Sequence, residues 1–169
     1  FNDLKVKKII TPCPHCYNTF KNEYPDFGGT YEVKHHSQLI SELMESGRLS
    51  AGGGKAAGRV VIHDSCYLGR VNLVYRPSRD ILKGVSGLEV VEHKKSGEYG
   101  FCCGAGGGRF WLEETEPRIN HQRIKQLLET KPSMIATSCP YCLKMLSDGV
   151  KDLGGAGVEV RDLVEIAGW

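Results

Sequence analysis

Ile135-Ala-Thr-Ser-Cys-Pro-Tyr-Cys142 reads as a strand running directly into a helix. Ser133 to Thr137 has the length and apolar character of a short strand. Pro140 suits the first helical position, where its missing N–H is not needed, so Cys139 falls near the N-cap and Cys142 in the first turn. The helix is expected over Pro140 to Leu153, with Gly154-Gly155 closing it. The same arrangement stands 126 residues earlier, where Ile9-Ile-Thr-Pro-Cys-Pro-His-Cys16 is identical at five of eight positions. Tyr31-Glu-Val-Lys34 meets Val158-Glu-Val-Arg161 at nearly the same offset. Both copies therefore read strand, Cys-x-x-Cys, helix, strand.

Outward from these copies, Val6 to Thr11, Tyr31 to His35, Arg59 to His63 and Leu88 to His93 are expected strands, with Val158 to Arg161 as a sixth. Ser37 to Ser46 is expected to be helical, with Leu39, Ile40, Leu43 and Met44 on one face and Gly47 as the stop. Pro117 to Thr130 places Ile124, Leu127 and Leu128 together. Strands alternating with helices predict an α/β fold with mostly parallel strands. Gly47 to Gly58 has the composition of a flexible connection, and a linker is expected over residues 51–58. Residues 59–169 are numerous enough to bury a core, whereas residues 1–50 are marginal alone. The second copy follows a full half-domain, but the first follows only eight residues. The simplest account is a two-module protein cut inside its first module, in keeping with a chain that opens at Phe1.

Composition narrows the function. Of 169 residues, 40% are hydrophobic and 25% charged, which is globular. A net charge of +2 gives no basic footprint for nucleic acid. No apolar run approaches the roughly 18 residues of a bilayer span, and no signal peptide opens the chain. Seven cysteines are many, their number is odd, and they come in tight groups. Metal or redox chemistry explains that better than a secreted disulfide framework.

The grouping is specific. Thirty-five residues separate Cys66 from Cys102, and thirty-five separate Cys103 from Cys139, so five cysteines arrive as one, an adjacent pair and a Cys-x-x-Cys. Helix N-termini favour thiolates and anionic clusters, which suits Cys139, Cys142, Cys13 and Cys16. Gly104-Ala-Gly-Gly-Gly-Arg109 follows the adjacent pair. Glycines let backbone N–H groups approach an inorganic core, which makes Gly104, Gly106 and Gly107 candidate contacts and Arg109 a candidate countercharge. Cys66 lies just past a strand end, the usual ligand edge of an α/β sheet.

Cys66, Cys102-Cys103-Gly104 and Cys139-Pro-Tyr-Cys142 together resemble the cysteine-rich CCG domain of heterodisulfide reductase. That family also includes iron–sulfur subunits of glycolate and lactate oxidases, anaerobic glycerol-3-phosphate dehydrogenase, and quinone oxidoreductases linked to electron-transfer flavoprotein. The resemblance covers nearly the whole chain, as one complete CCG module and the Cys-x-x-Cys half of another. It implies a [4Fe–4S] cluster of noncubane type on Cys66, Cys102, Cys103, Cys139 and Cys142. Cys13 and Cys16 would serve a second cluster whose other ligands lie upstream, with a Cys-Cys pair expected about 24 residues before Phe1. The implied function is electron transfer within a larger oxidoreductase, between flavoprotein or ferredoxin-type donors and a quinone or similar acceptor. The implied place is the cytoplasm, at the membrane face through the parent protein, and the fragment alone is not expected to be active. The stretch Phe101 to Glu114 looks most like the quinone-linked members.

Other readings stand beside this one. The first is disulfide reduction by the same clusters, as in heterodisulfide reductase. Zinc in the second-module thiolates would make a structural module, and a thioredoxin-like dithiol would use one Cys-x-x-Cys and leave Cys66 and Cys102-Cys103 idle. The two Cys-x-x-Cys pairs are 122 residues apart, too far for a zinc ribbon. Gly53-Gly54-Lys55-Ala56 lacks the Ser or Thr of a P-loop, and Arg109 breaks a dinucleotide fingerprint. His15 is read as tuning its site, and histidines 35, 36, 63, 93 and 121 as strand ends or surface groups. Trp111 is read as packing, and Glu113 to Glu116 as a solvated helix start.

Overall fold

The structure is a computed structural model that describes residues 1–51, 56–113, 115, 117–155 and 157–169. Residues 52–55 of the expected linker, with Glu114 and Glu116 of the charged run, lie outside the described residues. Strand β1 (Lys8–Thr11) leads into the short helix α1 (Pro14–Asn18), then β2 (Glu32–His35) into α2 (His36–Glu45). The second half runs β3 (Gly58–Ile62), α3 (Arg76–Lys83), β4 (Leu88–Val91), α4 (Ile119–Leu128), β5 (Met134–Thr137), α5 (Pro140–Asp152), β6 (Glu159–Asp162) and α6 (Leu163–Ala167). Each of the six expected strands is present within two residues of its expected bounds.

All strand pairs are parallel. β1 and β2 form their own two-stranded sheet, and the other four have the order β4-β3-β5-β6. Alternation along the central strands sorts the core into two faces. Val60, Ile62, Met134 and Ala136 pack with Ile81 and Leu82 of α3 and Leu163 and Ile166 of α6. Val61 and Ile135 pack on the opposite face with Ile124 and Leu127 of α4 and Leu146 and Val150 of α5. Helices on both faces of a parallel sheet make a doubly wound layer structure.

Helix α3 was not expected, because its sequence RPSRDILK is mostly polar. Ile81 and Leu82 are fully buried, and burying each is worth about 2 kcal/mol, enough to override weak propensity. The helix expected from Pro117 begins at Ile119, and its buried face is Asn120, Arg123, Ile124 and Leu127. Gly149 of α5 lets α4 come close, since a Cβ there would lie 2.9 Å from Ile124 Cγ1. Ile40 and Met44 of α2 pack against the α3–α6 face. Among the described residues, no helix is long and apolar enough to cross a membrane.

Candidate metal centre

The chain leaves β3 for β4 on one side and later returns to β5 on the other. The C-terminal ends of β3 and β5 therefore flank the point where strand order reverses, where open α/β sheets hold their ligands. Cys66 follows β3 and begins a wide helical turn over Tyr67–Val71. Cys139 follows β5 as the N-cap of α5, with Pro140 in the first turn, as the sequence predicts. Its carbonyl accepts from Leu143 N–H at 2.8 Å, which starts the helix and carries Cys142 into the interior. Three bonds fix the loop before Cys66. Arg79 grips the Asp64 carboxylate with both guanidinium nitrogens at 2.9 and 3.0 Å, and Gly97 N–H donates to Asp64 at 2.7 Å.

Five sulfurs meet at this edge in a continuous series. Cys66 contacts Cys102, Cys102 contacts Cys103, and Cys142 contacts Cys139. The Cys103 and Cys142 sulfurs lie 3.4 Å apart. Gly104 N–H donates to Cys102 Sγ at 3.3 Å. Gly104 has φ +95°, and a Cβ there would lie 3.1 Å from Ile119 Cβ, so this glycine meets both a conformational and a close-packing demand.

The sulfurs compete for protons. Hydrogen bonds from Cys103 and then Cys66 hold the Cys102 thiol far below its usual range. Cys142 brings Cys139 down to about 5. The neighbouring sulfurs move the other way: contact with Cys102 pushes Cys103 up to about 12, contact with Cys102 also raises Cys66, and contact with Cys103 raises Cys142. All five sulfurs could be thiolates together only with cationic compensation beyond what one arginine supplies.

The first Cys-x-x-Cys has the same local build, with Cys13 as N-cap of α1 and Pro14 in its first turn. Cys16 is exposed and Cys13 half-buried. His15 lies against the Cys13 sulfur and also the Cys139 sulfur, which lift its imidazole to about 9. Its ring packs on Tyr67 at 4.2 Å and Tyr141 at 5.3 Å. The structure thus links the two Cys-x-x-Cys turns through one side chain. Gly106 and Gly107 border a cleft of about 200 Å³ shared with His15 and Tyr141, and Arg109 is exposed beside it. Trp111, expected to pack, is 78% exposed and meets Phe110 edge-on at 4.9 Å. The loop carries it outward before α4 begins.

The surrounding residues fit a polynuclear iron–sulfur group. His63 Nε2, Ser65 Oγ, Arg123 Nη2 and Thr137 Oγ1 are buried without hydrogen-bond partners among the described residues. Each such group costs about 1–3 kcal/mol if left so, and these side chains stand beside the β3 and β5 ends or α4. One nitrogen of His63 and the sulfurs of Cys103 and Cys142 lie within 4.8 Å of one another. Sequence reading missed His63 and Arg123, because what sets them apart is their mutual contact across 60 residues of chain.

Fold and site together define a parallel α/β domain with a cysteine centre at its switch point. The chain belongs to the CCG family of cysteine-rich domains, whose profile matches residues 1–21 and 60–147. It is 49% identical over 168 residues to the probable iron-sulfur-binding oxidoreductase FadF of Bacillus subtilis (strain 168), covering 98% of this chain and 24% of that protein. It is 49% identical over 160 residues to the EtfAB:quinone oxidoreductase of Syntrophomonas wolfei, covering 89% of this chain and 22% of that protein. Identity is 30% over 166 residues to one of the subunits of the dihydromethanophenazine:CoB–CoM heterodisulfide reductase of Methanosarcina barkeri, covering 95% of this chain and 40% of the relative. The chain thus spans 22–24% of the length of the first two curated relatives.

Proposed function

We propose that this chain is an iron–sulfur electron-transfer domain of a larger oxidoreductase. The observation that carries this reading is the five-sulfur series at the switch point. Cys66, Cys102, Cys103, Cys139 and Cys142 would hold a [4Fe–4S] cluster of noncubane type, which when bound takes up and releases electrons one at a time. Gly104 aims its N–H at a ligand sulfur, α5 supplies the positive end of its dipole, and the closed core excludes water from Cys103, Cys139 and Cys142. Residues 1–50 would belong to one CCG module and 59–169 to a second, joined by 51–58. Cys13 and Cys16 would complete their site with donors from further chain. Flavoprotein or ferredoxin-type donors and a quinone-reducing partner at the membrane are the proposed neighbours, in keeping with the names of the relatives, and the domain would need them for turnover.

A second reading, disulfide reduction, is favoured by the likeness to the Methanosarcina heterodisulfide reductase. Iron, acid-labile sulfide and zinc per chain, measured after anaerobic purification, test both readings. About four irons and four sulfides support a cluster, while zinc alone overturns both. Activity of the full-length protein with a quinone or with a disulfide then separates them.

A further inference from the structure

Arg123 is fully buried, and its Nε donates to His63 Nδ1 at 3.1 Å. Its Nη1 donates to the Lys95 carbonyl at 3.0 Å and to Gln126 Oε1 at 3.2 Å, which anchors the guanidinium. Arginine has only donors, so Nδ1 of His63 must be the acceptor. A neutral imidazole that accepts at Nδ1 carries its hydrogen on Nε2. That Nε2 is buried with no partner among the described residues, although the ring stands within 4.8 Å of the Cys103 and Cys142 sulfurs. Arg123 Nη2 is likewise buried and unpartnered among the described residues, and its charge acts on the same two sulfurs.

We propose that His63 is a hydrogen-bond donor to the sulfur of the cluster at Cys103 and Cys142, held in that role by Arg123, and is not a metal ligand. The proposal rests on the reading of the five cysteines as an iron–sulfur site. Geometry alone groups His63 with Cys103 and Cys142 as three potential ligands. The Arg123 bond reverses that assignment, because a ring nitrogen bearing hydrogen has no lone pair to give a metal. A donor on cluster sulfur stabilises the electron-rich state more than the oxidised one, and so raises the reduction potential. Arg123 is the positioning residue, and the effect of His63 is electronic.

The test uses the full chain, purified anaerobically. His63→Gln keeps an acceptor for Arg123 Nε and a donor near the Nε2 position, whereas His63→Leu removes both. With iron and sulfide content unchanged, H63L should lower the equilibrium constant for electron uptake about tenfold, or about 59 mV for one electron, and H63Q should stay near wild type. Pulsed EPR of the wild-type cluster should show weak nitrogen coupling and a proton exchangeable in D2O. Strong coupling from a directly bound nitrogen overturns the proposal, as does an unchanged potential in H63L. If H63L does not load, the wild-type EPR result decides alone. Wild-type protein without iron and sulfide overturns the site reading itself, and the donor role with it, whereas a loaded wild type that fails the His63 tests overturns only the donor role.

Discussion

Cys103 and Cys142 bring their sulfurs to 3.4 Å although 39 positions part them in the chain. One stands on the glycine loop and the other in the first turn of α5, so their contact ties the loop to the sheet edge. Cys142→Ser should remove most of the iron and sulfide from the anaerobically purified chain, measured per protein by colorimetry. Cys13→Ser should leave the content of the five-cysteine site unchanged.

Gly104→Ala places a Cβ at φ +95° and 3.1 Å from Ile119 Cβ. Strain and overpacking together should cost about 1–3 kcal/mol, read as a lower urea midpoint at constant slope. Gly107→Ala is the comparison. It has positive φ too, but nothing stands within 4 Å of its added Cβ, so it should cost only the conformational share, about 1 kcal/mol.

Arg79 serves two carboxylates with unequal consequences. The Asp64 side chain is 7% exposed, whereas that of Glu92 is 44% exposed. Arg79→Met should destabilise the chain by about 3 kcal/mol, since it strands a buried charge. Glu92→Gln should cost less than about 1 kcal/mol. Urea denaturation of both variants checks the ratio, and the loss in R79M should extend to slower or weaker metal retention at Cys66.

Burial, and then the neighbouring His36, depress the His35 imidazole to about 4 from its ordinary 6.5. Its Nδ1 accepts from Ser37 N–H at 3.3 Å, and Nε2 faces the Pro12 carbonyl at 3.1 Å, which fixes the neutral form in the fold. Above pH 6.5 the folded and unfolded chains both carry it neutral. As pH falls toward 4 the unfolded chain binds the proton first, so stability drops, by about 1 kcal/mol at pH 5.5. His35→Asn keeps an N-cap acceptor and should flatten that part of the stability profile between pH 7.5 and 5.5.

The strands and the cysteine-bearing helix starts were legible because both depend on short-range pattern. Val60 to Ile62 and Met134 to Thr137 are apolar whichever face they meet, and Cys-Pro-x-Cys after a strand fixes its own N-cap. Helices α3 and α6 were not legible. The first is polar apart from Ile81 and Leu82, and the second is five residues long. Arg123 shows why part of the site stayed hidden. On the sequence it stands beside the apolar positions of a helix with nothing to mark it, yet it is fully buried, and only the three-dimensional approach of β3 and α4 gives it His63 as a partner. The wide turn at Tyr67–Val71 likewise went unread, although the strand end before it already marked Cys66.

The strand order β4-β3-β5-β6 bears on biosynthesis. The proposed donors run from residue 66 to residue 142, and β5 inserts beside β3 only after the intervening β4 and α4 have been made. A chain still emerging from the ribosome therefore has no complete donor set until Cys142 is free of the exit tunnel. Until then Cys66, Cys102 and Cys103 are loose thiols, open to oxygen and to stray metals. The interval between synthesis of Cys66 and docking of α5 is thus one in which Cys103 lacks the burial it has in the finished fold.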